Sequence, residues 1–151
     1  MLYYIHIVKR KREFLSMAYM NQERKAKLAP AVKSILKRYG VKGTLSTERH
    51  SISLNIKSGP LDFITNFNET VCRQPGGFRL GSPAEKSLQI NNYWYRDHFS
   101  DKVIVKFLDE VLRALNNGNH DNSDIQTDYF DVGWYVHVNV GKWNKPYIVE
   151  K

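Results

Sequence analysis

The sequence predicts a single two-layer α+β domain, in which two main helices cover one face of a mostly antiparallel sheet of about four to five strands. Three observations lead to this class. The length of 151 residues suits one domain. Two segments have the apolar spacing of amphipathic helices, and two others alternate apolar and polar residues as a half-buried strand does.

The first helix is predicted between Asn21 and Gly40. Asparagine is a favoured N-cap residue, and glycine commonly follows the last turn of a helix. Pro30 lies inside this segment and removes a backbone donor, so we expect a kink or a separate first turn. The apolar positions at helical spacing are Leu28, Val32, Ile35, Leu36 and Tyr39.

Strands are predicted at residues 44–47, 51–57, 87–91 and 134–140. The second and the last have the clearest period of two, which indicates one buried face. Their alternating apolar residues are Ile52, Leu54 and Ile56, and Trp134, Val136, Val138 and Val140.

The second helix is predicted to begin after Ser100 as its N-cap and to end at Gly118. Its apolar stripe consists of Ile104, Phe107, Leu108, Val111, Leu112 and Leu115. We also expect Trp134 and at least one residue of the aromatic run 93–95 to lie in the core.

The remaining segments are less regular. Residues 61–67 suit either a short helix or a strand, and residues 68–86 have the Gly and Pro content of an exposed loop. Residues 2–8 are rich in β-branched and aromatic residues and predict a strand. Because a strong helix start follows Met17 and Met20, we divide the chain into a possible N-terminal extension, residues 1–16, and one α+β domain, residues 17–151.

Positive charge is concentrated in the first part of the chain. Residues 1–57 have a net charge of +10 and residues 58–151 a net charge of −2, within a total of +8. Such a one-sided basic field indicates a polyanionic partner, so we predict a nucleic-acid-binding surface around the first helix, with an exposed aromatic side chain that stacks on bases. The predicted binding residues are Arg24, Lys25, Lys27, Lys33, Lys37, Arg38 and Tyr135. Tyr95 is a second candidate for stacking.

The sequence contains no standard catalytic, zinc or phosphate-loop motif. Cys72 is its single cysteine, which excludes an internal disulfide. Residues 121–131 hold four aspartates, and His120 precedes them, but their spacing does not fit a calcium loop. We interpret these aspartates as turn-capping residues; a metal-dependent activity there is the alternative. We therefore expect no catalytic residue, no metal and no small-molecule cofactor.

Two stretches, residues 17–46 and 119–135, resemble uncharacterised proteins of phages, prophages and plasmids. The first contains Met-Ala-Tyr-Met-Asn-Gln-Glu-Arg-Lys-Ala-Lys from Met17, and the second contains Asn-His-Asp-Asn-Ser-Asp-Ile-Gln-Thr-Asp-Tyr from Asn119. Both also resemble the large-polyvalent-protein-associated domains of mobile elements. The resemblance implies a mobile-element context and carries no catalytic residues with it.

Together these features predict a cytoplasmic, non-enzymatic accessory protein of a phage or other mobile element that acts by binding nucleic acid in the host cell. The alternative is a modulator that binds a host protein complex, such as an inhibitor of a host defence complex. We expect no membrane partner, because no apolar run approaches the roughly 18 residues of a membrane span.

Overall fold

The computed structural model describes residues 18–72, 84–121 and 132–150. Its helices and strands form an α+β fold, which confirms the predicted class. The helices are α1 (Gln22–Tyr39), α2 (Phe63–Cys72), α3 (Tyr95–His98) and α4 (Lys102–Leu115). The strands are β1 (Lys42–Thr47), β2 (Ser51–Gly59), β3 (Leu88–Gln89), β4 (Tyr135–Val140) and β5 (Ile148–Val149).

The sheet is mixed, which corrects the expectation of a mostly antiparallel one. Its order is β1-β2-β4-β3, and β5 also pairs with β2. The β1–β2 and β3–β4 pairs are antiparallel, whereas β4 and β5 both run parallel to β2. Between β2 and β4 the chain passes through three helices, and such a long crossover lets a strand return in the same direction. Apolar alternation encodes which face is buried but not the direction of pairing.

Both caps predicted for α1 are confirmed. The Asn21 side chain accepts a hydrogen bond from the Arg24 backbone N–H at 2.8 Å, and Gly40 follows the helix with φ 71°. The separate first turn expected at Pro30 does not form, since α1 is continuous through it. Leu28 and Val32, on either side of Pro30, are buried and hold both halves of the helix against the core.

Ser100 is not the N-cap of α4, which corrects the second capping prediction. The Asp101 side chain accepts from the Val103 N–H at 2.9 Å and is the cap. The Ser100 hydroxyl instead lies 2.9 Å from Asn66 Nδ2 and 3.1 Å from Thr70 Oγ1 of α2. These contacts join α2 to the start of α4. They require a helix at residues 63–67, where the sequence suited either a helix or a strand.

The core lies between the helices and one face of the sheet. Trp134 is buried, and so is Tyr95 of the 93–95 run, which confirms the expectation for the aromatic residues. Fully buried side chains come from both layers, and the largest are Phe63, Phe107, Ile52, Leu54, Ile56, Ile104, Leu108 and Leu115. The opposite face of the sheet carries polar residues, as the alternation in β2 and β4 requires.

Several sequence predictions lie outside the described residues. They are the strand at residues 2–8, the extension 1–16 and its boundary, residues 73–83 of the loop predicted at 68–86, and residues 122–131. At residues 68–72 the prediction of a loop is wrong, because α2 continues to Cys72. In the part of the chain that is described, no helix is long and apolar enough to cross a membrane.

Candidate nucleic-acid-binding surface

The basic residues of α1 point in different directions around the helix axis, and only some of them face away from the core. Its buried stripe is formed by Leu28, Val32, Ile35 and Leu36. At about 100° per residue, Lys27, Lys33 and Lys37 fall within an arc of about 120° opposite that stripe. By the same angles Arg24 falls at one edge of the stripe and Lys25 falls within it, at its N-terminal end, and both are only partly exposed.

Lys27, Lys33 and Lys37 are exposed and are available to a ligand. Within the described residues none of the three has a carboxylate within 4.0 Å. Glu23 is the single acidic residue of α1, whose sequence contains six basic residues. By the same angles Glu23 lies on the outer face one turn before Lys27, so this face is cationic from Lys27 to Lys37.

Arg38 lies at the border of this face, beside α4. Its Nη1 atom is 3.3 Å from Glu110 Oε1, across a groove of about 340 Å³ that Arg113 also lines. The pKa of the Glu110 carboxyl is lowered, chiefly by the neighbouring Tyr39 hydroxyl and further by the charges of Arg38 and Lys106. Glu110 is therefore charged at neutral pH and partly neutralises Arg38.

Arg24 has a structural role that sequence analysis did not identify. Its Nη1 atom donates to the Tyr19 carbonyl at 2.8 Å and lies 3.4 Å from the Gly133 carbonyl. Its guanidinium carbon is 5.1 Å from the centroid of the Tyr19 ring and 5.4 Å from that of Trp134. Arg24 thus joins the start of α1 to the start of β4.

Tyr135 is exposed, with 44% of its surface accessible, but it lies on the other face of the sheet from α1. It alternates with buried Val136, so it shares the polar face with His137 and Asn139. On that face the Asn139 Nδ2 atom is 3.2 Å from Asn55 Oδ1. The structure therefore does not bring Tyr135 together with the lysines of α1. Tyr95, the second stacking candidate, is buried, and its hydroxyl contacts Asp109.

A cleft of about 590 Å³ lies beside Tyr135, at the end of the sheet where β4 begins. Its rim includes Tyr93, and much of its lining is amide side chains. Most of these amides are already engaged by the backbone. Asn119 accepts from the His120 and Trp134 N–H groups and donates to the Trp134 carbonyl, while Asn91 accepts from the Tyr93 N–H. Most amide groups that line the cleft therefore stabilise the local backbone and are not free to bind a ligand.

Asn92 is the exception in this cleft. Its Nδ2 atom donates to the Val136 carbonyl at 2.6 Å, but its buried Oδ1 atom has no hydrogen-bond partner among the described residues. Because this oxygen is buried, a ligand in the cleft would not reach it without a movement of the side chain. Asp121 also lines it and already has an interaction of its own.

No group of three or more His, Cys, Asp or Glu side chains that could hold a metal ion occurs among the described residues. Most of the aspartate-rich segment 121–131 lies outside them, so its turn-capping role stays a prediction. Comparisons with protein-family models, with curated proteins and with solved structures found no match to this chain.

Proposed function

We propose that this protein binds nucleic acid through the outer face of α1, with Lys27, Lys33 and Lys37 contacting phosphates. The observation that carries the proposal is the set of three exposed lysines without a carboxylate within 4.0 Å in the described part of the chain. Lysines left without acidic partners retain their attraction for an external polyanion. In this proposal the protein is a non-enzymatic accessory factor of a mobile element acting in the host cytoplasm.

The spacing of the lysines supports contact with a phosphate backbone. At 1.5 Å rise per residue, Lys27 and Lys37 are about 15 Å apart along the axis, and Lys33 and Lys37 are about 6 Å apart. Duplex DNA presents one negative charge per roughly 1.7 Å of its length. Several phosphates therefore lie within reach of the three side chains at once. Contacts of this kind provide affinity without sequence preference.

The test is a salt titration of binding to a fluorescent duplex, comparing the protein with the double variant Lys33→Ala/Lys37→Ala. The logarithm of affinity falls with the logarithm of salt by about 0.9 per phosphate neutralised. We expect the double variant to reduce this slope by about one to two, and to weaken binding by similar factors for unrelated sequences.

The chain supplies a matched control in Lys102 and Lys106 of α4. These lysines are also exposed, and they have the same spacing of four residues. Lys102→Ala/Lys106→Ala removes the same charge from a different helix, so we expect an unchanged slope. Equal losses of affinity in both double variants would show that binding depends on the net charge of the protein and not on the α1 surface. Absence of binding near physiological salt would contradict the proposal and favour the host-protein partner.

A further inference from the structure

A loop interrupts the strand that runs alongside β2. Val140, the last residue of β4, pairs with Ile56, and Ile148, the first residue of β5, pairs with Ser58. The seven residues 141–147 therefore loop out opposite the single residue Lys57. No motif in the sequence marks this segment, whose central residues are Lys142, Trp143, Asn144 and Lys145. We refer to residues 142–145 as the tip.

The tip is anchored on both sides. The Gly141 N–H donates to the Ile56 carbonyl at 2.8 Å, and two backbone hydrogen bonds of 2.8 and 3.1 Å join Lys142 and Lys145 into a tight turn. The Tyr147 N–H donates to the Lys86 carbonyl at 3.1 Å, and the Tyr147 hydroxyl donates to the Leu61 carbonyl at 2.6 Å. These bonds fix the base of the loop, so the tip projects from a rigid support.

Trp143 stands at the apex of this turn with 80% of its surface exposed. Tryptophan is usually largely buried, as Trp134 is, because its large ring gains much from removal from water. Trp143 gains little of that energy in the described structure. A fully presented indole ring on an anchored turn is the arrangement expected of a contact residue.

Four lysines belong to the tip or to the backbone that supports it. Lys142 and Lys145 flank Trp143 in the chain, Lys57 lies opposite the loop on β2, and Lys86 bonds the far end of the loop through its backbone. All four are exposed, and in the described ranges none has a carboxylate within 4.0 Å. Glu150 is the acid nearest the tip in sequence, and it pairs with Lys42 at 3.4 Å. Glu85 adjoins Lys86 in the chain. The tip is thus a second cationic surface, in the half of the chain whose net charge is slightly negative.

We infer that the tip binds single-stranded nucleic acid, with the Trp143 indole stacked on an unpaired base and Lys142 and Lys145 placed against the neighbouring phosphates. This inference goes beyond the proposed function, because it assigns a second binding surface away from α1. Aromatic rings bind single strands by stacking on base faces, which a duplex keeps covered, while lysines follow the backbone. Lys142 and Lys145 supply the positive charge that nucleic-acid phosphates attract, and Trp143 supplies a ring face for a base.

The experiment measures affinity for a labelled 15-nucleotide oligo(dT), for a duplex of equal length, and for vesicles containing phosphatidylserine. Trp143→Ala is expected to weaken binding of oligo(dT) by about tenfold or more and to leave duplex affinity within about twofold. Trp143→Phe should restore part of the loss, because phenylalanine also stacks. Trp94→Ala is the matched control, since Trp94 is 62% exposed but is not flanked by lysines. We expect it to change neither affinity.

The outcomes separate this inference from the proposed function. Suppose that Lys33→Ala/Lys37→Ala leaves all binding unchanged while Trp143→Ala weakens single-strand binding. The proposal that α1 binds nucleic acid is then wrong, and the inference about the tip is supported. If Trp143→Ala binds oligo(dT) as tightly as the parent protein, or loses as much affinity for duplex, the tip inference is overturned. It is also overturned if the parent protein binds the vesicles and no nucleic acid, or binds none of the three probes.

Discussion

The guanidinium of Arg24 lies 5.4 Å from the centroid of the Trp134 indole, although 109 residues separate Arg24 from Gly133, whose carbonyl it also contacts. It packs against the Tyr19 ring as well and donates to the Tyr19 carbonyl. One charged side chain therefore holds together the segment before α1, the first turn of α1 and the start of β4. Arg24, which the positive charge of the sequence assigns to a binding surface, is also a tertiary connection.

Arg24→Ala should therefore destabilise the fold. We expect the free energy of unfolding to fall by about 1–3 kcal/mol, because the variant loses cation–π contacts and a charged hydrogen bond. Lys27→Ala, one turn away and exposed, should change it by less than about 0.5 kcal/mol. Urea titration of both variants measures the difference. Equal stability of the two variants would show that the Arg24 contacts contribute nothing to folding.

Gly40 and Gly141 have the same backbone conformation but different space for a side chain. Comparing alanine variants at the two positions therefore distinguishes backbone strain from steric clash. Gly40 and Gly141 both have φ 71°, where a side chain costs roughly 1–2 kcal/mol. A Cβ at Gly40 meets nothing closer than 3.7 Å, whereas one at Gly141 lies 2.6 Å from the Tyr147 nitrogen and 2.7 Å from the Lys86 carbonyl oxygen. We expect Gly141→Ala to lower the free energy of unfolding clearly more than Gly40→Ala in urea titrations. Similar losses would mean that the base of the loop yields easily, contrary to a rigid tip.

Stability at acid pH should depend on Glu110. Its pKa is lowered in the folded protein from an ordinary value of 4.5, chiefly by the Tyr39 hydroxyl. Its charged form therefore stabilises the fold above pH 4.5, and this contribution is lost as pH falls through the folded pKa. The melting temperature of Glu110→Gln should lie below that of the parent protein at pH 7, and the gap should close between about pH 5 and pH 3. A gap that is constant over this range would contradict the assignment.

The parts of the fold that depend on neighbouring residues are predictable from the sequence. The ends of α1 follow from Asn21 and Gly40, because capping hydrogen bonds close within one turn. The buried face of β2 follows from Ile52, Leu54 and Ile56, because alternate side chains of a strand point to opposite faces. The cap of α4 was placed one residue early, because Ser100 is engaged by α2, a contact that its own sequence neighbours do not encode.

The sequence by itself determined the α+β class, the two main helices and the basic character of α1, since each depends on periodicity, caps or charge over short stretches. Tertiary structure alone decided that β4 runs parallel to β2, that Arg24 faces Trp134, and that seven residues project the exposed Trp143. These features depend on which distant strands pair and in what register. The local sequence around Trp143 does not reveal whether the indole ring is buried or exposed. Only the packing of the surrounding chain determines its exposure.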